Sequence, residues 1–273
     1  MPVITTMTST SADTTTALYG LTALSADQAL TKPSTANPAA MDISSLSPPQ
    51  TALAARLAAY AQAKLDADTY RHSMRVYSYG CAIARQCFPQ FELTPGSTLD
   101  ETWFLTALLH DIGTSAEFLT PSCTRLSFEF WGAFHALEIL QQAKESSSSS
   151  SSVTAAAAAG AASPREQAES VAEAIIRHQD IQDKGNITLM TRLIHLGTLL
   201  DNIGAGAHLI HPQTIYNVVR EYPRPGWSGC FERTVKKEKS FKPYAMVSRI
   251  EGFEDAIRKN GDSASGGLMA GYD

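Results

Sequence analysis

No stretch of this chain approaches the ~18 consecutive apolar residues of a membrane-spanning helix, so no transmembrane segment is expected. The four cysteines (Cys81, Cys87, Cys123, Cys230) form no C-x-x-C pair. That spacing argues against both a zinc–thiolate site and a disulfide framework. Cys81 and Cys87 fall in a helical pattern and read as small buried hydrophobes of a reducing compartment. Excess positive charge is missing too: the net charge is -5, with no basic field to draw nucleic acid or an anionic membrane. The one basic run, Lys236-Lys237-Glu238-Lys239, reads as a solvated face. The N-terminus lacks the charged start and apolar segment of a secretory signal. The first fifty residues hold no Arg and a single Lys, so a transit peptide is not supported either. The expected compartment is the cytoplasm. Alternating β-branched runs are nearly absent, which points to an all-α fold.

What the chain does have is core-forming material: 44% of its 273 residues are hydrophobic, ample for one sizeable domain. That material is unevenly placed. Residues 1–48 are rich in Thr, Ser, Ala and Pro with few large apolar side chains, and read as a disordered extension. A helical domain is expected over 49–260, interrupted by a low-complexity Ser/Ala loop at 145–163. The Gly/Ser-rich segment 261–273 reads as a flexible tail. Within the domain, helical periodicity covers about 53–64, 67–88, 98–113, 127–143, 163–178 and 187–203. Thr98-Leu99-Asp100-Glu101 and Ser163-Pro164-Arg165-Glu166 have the form of capping boxes, and Gly204 is a natural helix stop. From Tyr222 onward Pro, Gly and Trp suggest an irregular C-terminal segment before a short helix at about 247–257.

Four histidines, His72, His110, His135 and His178, lie on or beside the apolar stripes of separate helices. One such histidine is more often a hydrogen-bonded core residue than a ligand. Four of them with Asp111 and Asp201 in equally apolar surroundings read differently, because an isolated buried carboxylate costs several kcal/mol unless it is paired or bound to a cation. The His110-Asp111 pair is the sharpest element. Adjacent helical residues project about 100° apart, so both can grip one ion only near a loosened helix end, which Gly113 supplies. Arg71, Arg75 and Arg177 are expected to turn away from the inner faces. His195, His208 and His211 carry no site reading.

A His, then His-Asp, then a distant Asp on successive helices resembles the HD-domain superfamily of metal-dependent hydrolases. The likeness to the fungal cyanamide hydratases within it is closer. It rests on Arg71-His-Ser-Met-Arg-Val-Tyr-Ser-Tyr-Gly80, Ala107-Leu-Leu-His-Asp-Ile-Gly-Thr114 and Phe128-Glu-Phe-Trp-Gly-Ala-Phe-His135. Ala174-Ile-Ile-Arg-His-Gln-Asp-Ile181, Leu199-Leu-Asp-Asn-Ile-Gly204 and Tyr222-Pro-Arg-Pro-Gly-Trp-Ser-Gly-Cys-Phe231 carry it further. These motifs span roughly residues 50–250. The resemblance implies an HD-domain helical bundle that hydrates cyanamide to urea. Its metal ligands would be His72, His110, Asp111 and Asp201, holding Zn2+, with Fe2+ also suited to the N/O set. Metal-bound hydroxide would attack the nitrile carbon, with Asp111 or a histidine moving protons. His135 and His178 would line the pocket or bind a second metal, and Thr114 would hydrogen-bond the substrate. Two other readings stand beside this one. An HD-type phosphohydrolase would want inward Lys or Arg for phosphate, and a non-catalytic HD module would be expected to have lost ligand positions. Trp227, Phe231, Phe241 and Tyr244 suggest self-association into a homo-oligomer.

Overall fold

The structure, a computed structural model, describes residues 11–142 and 162–273. Among them ten α-helices and one two-stranded sheet are present: α1 (Ser11–Leu18), β1 (Ala23–Ser25), α2 (Ala52–Lys64), α3 (Ala67–Cys87), α4 (Thr98–Leu109), α5 (Phe128–Gln141), α6 (Arg165–Arg177), β2 (Asn186–Thr188), α7 (Leu189–Ile203), α8 (Pro212–Glu221), α9 (Trp227–Phe241) and α10 (Phe253–Asn260). The fold is all-α, as the absence of alternating strands predicts. No helix among the described residues is long and apolar enough to cross a membrane, and all four cysteines are free.

The helices begin and end where local chemistry dictates. Ser97 caps α4 by accepting from the Asp100 N–H, one residue ahead of the expected box. Pro164 precedes α6, and Ser163 bonds Gln167 instead of forming the expected box. Thr188 caps α7, which stops at Gly204 in the left-handed region (φ 74°).

Helix α3 is the axis of the bundle. Apart from its ends it is buried on every side, which is the mark of a central helix. Gly197 of α7 meets it closely: a Cβ there would stand 2.9 Å from the Val76 carbonyl oxygen. That approach lets polar side chains of α3 reach those of α7. Helix α4 ends at His110, and the chain leaves through a 3-10 turn over Ile112–Thr114. Gly113 in that turn packs on the start of α5, where a Cβ would lie 2.2 Å from the Phe128 carbonyl oxygen.

Three expectations change. The described part of the N-terminal extension is ordered: β1 pairs antiparallel with β2, and Ala26 and Leu46 are buried. Main-chain hydrogen bonds, which need no large side chain, hold much of it. The tail is docked as well, with Met269 fully buried and the Asp273 carboxylate accepting from the Ser228 N–H. The segment after Tyr222 forms α9, because Gly226 (φ 69°) stands at the helix N-cap instead of breaking a helix. Residues 145–161 of the expected Ser/Ala loop lie outside the described residues.

Candidate metal centre

Three imidazoles are anchored in the same way. Nδ1 of His110 bonds the Ala107 carbonyl at 2.8 Å, and Nδ1 of His178 bonds the Ile175 carbonyl at 2.7 Å. Nδ1 of His72 bonds Asp201 Oδ2 at 2.6 Å. Carbonyls and carboxylates accept, so Nδ1 carries a proton in each ring, and each Nε2 offers a lone pair when its ring is neutral. These Nε2 atoms surround Asp111. His72 Nε2 and His110 Nε2 are 3.3 Å apart, and Asp111 Oδ2 lies 3.2 Å from His110 Nε2 and 3.7 Å from His72 Nε2. On its other oxygen, Oδ1, His178 Nε2 stands at 3.7 Å. None of these groups is more than 1% exposed, and among the described residues neither Asp111 oxygen has an aligned hydrogen-bond partner.

Burial pulls against the charge of Asp111, but the adjacent His110 imidazole, through its charge when protonated and its hydrogen bond, followed by His72 and His178, holds its pKa below the usual carboxylate range. Burial holds His178 down to about 3, helped by the nearby His110. Burial also lowers His72 despite Asp201. For His110, burial is outweighed by Asp111, and the pKa rises. A buried carboxylate with no aligned hydrogen-bond partner among the described residues, facing three imidazole Nε2 atoms, is an arrangement that a cation resolves. Donor atoms ~2.0–2.2 Å from a tetrahedral ion stand about 3.3–3.6 Å apart, close to the separations found. His72, His110 and Asp111 therefore fit a metal ion, with donor atoms all within 4.8 Å of one another.

Asp201, expected as the fourth ligand, stands at the opposite edge of the His72 ring. Its carboxylate is gripped by Arg75 through Nε at 2.9 Å and Nη2 at 2.8 Å, with Arg224 Nε at 3.6 Å. Burial opposes its ionisation, but Arg75 and then Arg224 carry its pKa far below the ordinary value. A carboxylate on the non-coordinating nitrogen of a histidine is a usual orienting device at metal sites. Arg75 corrects the expectation that it points outward: with α3 buried all round, no face remains for it to turn to. The main-chain oxygen of Asp201 is held as well, by Arg224 at 3.1 Å and Asn260 at 3.0 Å.

His135 and Thr114 are not brought to the cluster. His135 Nε2 lies 2.5 Å from the Tyr60 hydroxyl, its ring against Phe118. The Thr114 hydroxyl donates to the Asp111 main-chain oxygen at 2.7 Å, closing the turn after the helix. Trp227 and Phe231, expected on an association surface, are buried. Trp227 stacks on His72 with ring centroids 4.4 Å apart, and Phe231 stacks on Trp227.

Sequence reasoning also missed Glu129. It is fully buried in the first turn of α5, and among the described residues neither of its oxygens has a hydrogen-bond partner. Burial, reinforced by Glu238 and Asp111 and opposed by Lys242, raises its pKa to about 8. Its neighbour Phe128 places its ring 5.5 Å from that of His178. The available signal was an acid inside the apolar run Leu126-Ser-Phe-Glu-Phe-Trp131.

Fold and centre together define an all-α protein with a buried His–His–Asp cluster able to hold a metal ion. No family model matches the chain. It is, however, 32% identical over 203 residues to the cyanamide hydratases DDI2 and DDI3 of Saccharomyces cerevisiae, a match spanning 74% of this chain and 80% of each relative. The chain belongs to the cyanamide hydratase family.

Proposed function

We propose that this protein adds water across the carbon–nitrogen triple bond of cyanamide to give urea, at a divalent metal ion held by His72 Nε2, His110 Nε2 and the Asp111 carboxylate. The observation that carries this reading is the buried Asp111 carboxylate, without an aligned hydrogen-bond partner among the described residues, facing the Nε2 atoms of three imidazoles, in a chain of this family. Zinc suits the nitrogen–oxygen donors and their near-tetrahedral spacing best, with Fe2+ as the alternative. Bound there, the ion would supply the Lewis acidity that makes water a nucleophile near neutral pH.

The chain's own residues would set up the rest. Asp201, locked by Arg75, keeps the proton of His72 on Nδ1, while the Ala107 and Ile175 carbonyls do the same for His110 and His178. His178 stays neutral, so its free Nε2 can accept a hydrogen bond from the attacking water and aim it. Glu129, its pKa raised by burial to about 8, would be the acid that gives a proton to the nitrile nitrogen. In the addition a C–O bond forms as one π bond of the nitrile breaks and its nitrogen takes a proton. A further proton passing from the hydroxyl to that nitrogen gives urea. Trp227, Phe231 and Phe128 wall the site with apolar surface, which suits a small uncharged substrate. A phosphoester is less well served, because Arg75 and Arg224 are both engaged by Asp201.

The test is urea formation from cyanamide by purified protein before chelation, after chelation, and after zinc is restored. Loss and recovery of urea with the metal is the expected result. A protein that holds one equivalent of metal and forms no urea would refute the substrate assignment.

A further inference from the structure

A cavity of about 290 Å³ lies between the N-terminal segment 28–33 and helix α7, lined by Gln28, Ala29, Thr31, Phe88, Arg192 and His195 among others. It is separate from the metal centre. Arg192, His195, Leu196 and Leu199 form one stripe of α7 at the spacing of a single helical face, and all four line the cavity. Asp201, nine residues beyond Arg192, projects about 180° away.

Arg192 is the unusual member. It is 2% exposed and takes part in none of the ion pairs among the described residues. Nη2 donates to the carbonyls of Ser25 at 2.6 Å and Ala26 at 3.0 Å, while Nε and Nη1 have no partner. Asp27, the acid that acts on it, uses its carboxylate to cap the Ala29 N–H at 2.9 Å. Buried guanidinium groups are normally paired, and the preferred partner is a planar anion. Beside it, His195 donates from Nε2 to the Arg177 carbonyl at 2.8 Å, which leaves Nδ1 as an acceptor and adds no competing anion. The rest of the wall is largely apolar, with Ile83, Phe88, Leu196, Leu199 and Leu209.

We propose that this cavity binds a small organic carboxylate, its charge met by Arg192 and its body by the apolar wall of α3 and α7. A carboxylate fits better than inorganic phosphate because the greater part of the cavity has nothing polar to offer. Its volume is at the lower end for ligand pockets, which limits the occupant to about the size of a simple aromatic acid. The site includes residues 28–33, which lie ahead of the motifs carrying the family resemblance.

Benzoate is the probe, and its neutral isostere benzamide the control, titrated calorimetrically into the full-length, metal-loaded protein. Benzoate should bind saturably and at least about tenfold more tightly than benzamide, the margin of one charge-assisted hydrogen bond. Arg192→Met should erase that preference. Because Arg192 also ties down residues 25–26, a second variant, Ala29→Trp, fills the cavity from the exposed 3-10 turn Gln28–Leu30 and leaves Arg192 in place. It should abolish benzoate binding while leaving urea formation unchanged. Equal binding of benzoate and benzamide by the unmodified protein overturns the proposal. So does benzoate binding that survives in Ala29→Trp, since such a ligand sits elsewhere, the metal centre included.

Discussion

Replacing Glu129 by Gln should make the protein more stable at alkaline pH. An ordinary glutamate titrates near 4.5, whereas burial holds Glu129 to about 8. The folded state therefore keeps a proton that the unfolded chain releases. A raised pKa contributes stability that is complete below pH 4.5 and is lost progressively as pH climbs through 8. At about 1.4 kcal/mol per pH unit, the gap between the two values amounts to about 5 kcal/mol by pH 9. Gln keeps the shape of the neutral acid and cannot ionise, so its variant escapes that loss. The assay is guanidinium unfolding of both proteins, metal-free and followed by circular dichroism, at intervals from pH 5 to pH 9. Titrations of His72, His178 and His195 are common to both and cancel in the difference. The curves should nearly coincide at pH 5 and separate by several kcal/mol at pH 9, with the variant the more stable. Parallel profiles across the whole range would refute the reasoning and mean that Glu129 is ionised in the fold. The same variant should bind metal normally but lose turnover, because it has no proton to deliver.

Other substitutions separate holding the ion from orienting its ligands. Asp111→Asn and His110→Ala should each lose metal at a stoichiometry read by atomic absorption, and urea formation with it. Asp201→Asn should instead weaken metal affinity by about 10–100-fold, the usual cost of an orienting partner. It should also destabilise the fold by about 3–5 kcal/mol in thermal unfolding, because Arg75 would be left buried and unpaired. Complete metal loss in a folded Asp201→Asn protein would make Asp201 a direct ligand. His135→Phe should leave metal content at one equivalent and turnover within about twofold, since that ring bonds Tyr60 and packs on Phe118. Gly113→Ala should fail to accumulate as soluble protein, because its Cβ would lie 2.2 Å from the Phe128 carbonyl oxygen.

The helices from α2 to α7 were legible in the sequence because their apolar periodicity is a local signal, as is the Gly204 stop, although the two capping boxes did not form as read. His72, His110 and Asp111 were legible for a related reason: polar groups interrupting apolar stripes must be satisfied by something. Arg75 was not. Its direction was judged as if α3 had a solvent face, and whether a helix has one is decided by what packs around it. The start of α9 was misread because Pro223, Pro225 and Gly226 are punctuation whose sense depends on context, and here they open a helix. The N-terminal segment eluded composition because its attachment is the β1–β2 ladder and the carbonyls held by Arg192, contacts that main chain of any sequence can make. Asp201 was expected as a metal ligand; here it bonds Nδ1 of His72, and which edge of that ring it occupies is a matter of ångströms that spacing does not encode.

The stacking of Trp227 on His72 gives the centre an optical reporter of its own. Of the three tryptophans, Trp103 donates to the Tyr77 carbonyl and Trp131 packs against Phe118, whereas Trp227 lies face to face with an imidazole whose far nitrogen points into the cluster. Drawing electron density out of that imidazole, whether by a cation or by a proton, changes how readily it quenches the indole beside it. Occupancy of the centre should thus be readable as a change in emission intensity, in real time and without a label. A Trp227→Phe protein serves as the silent control.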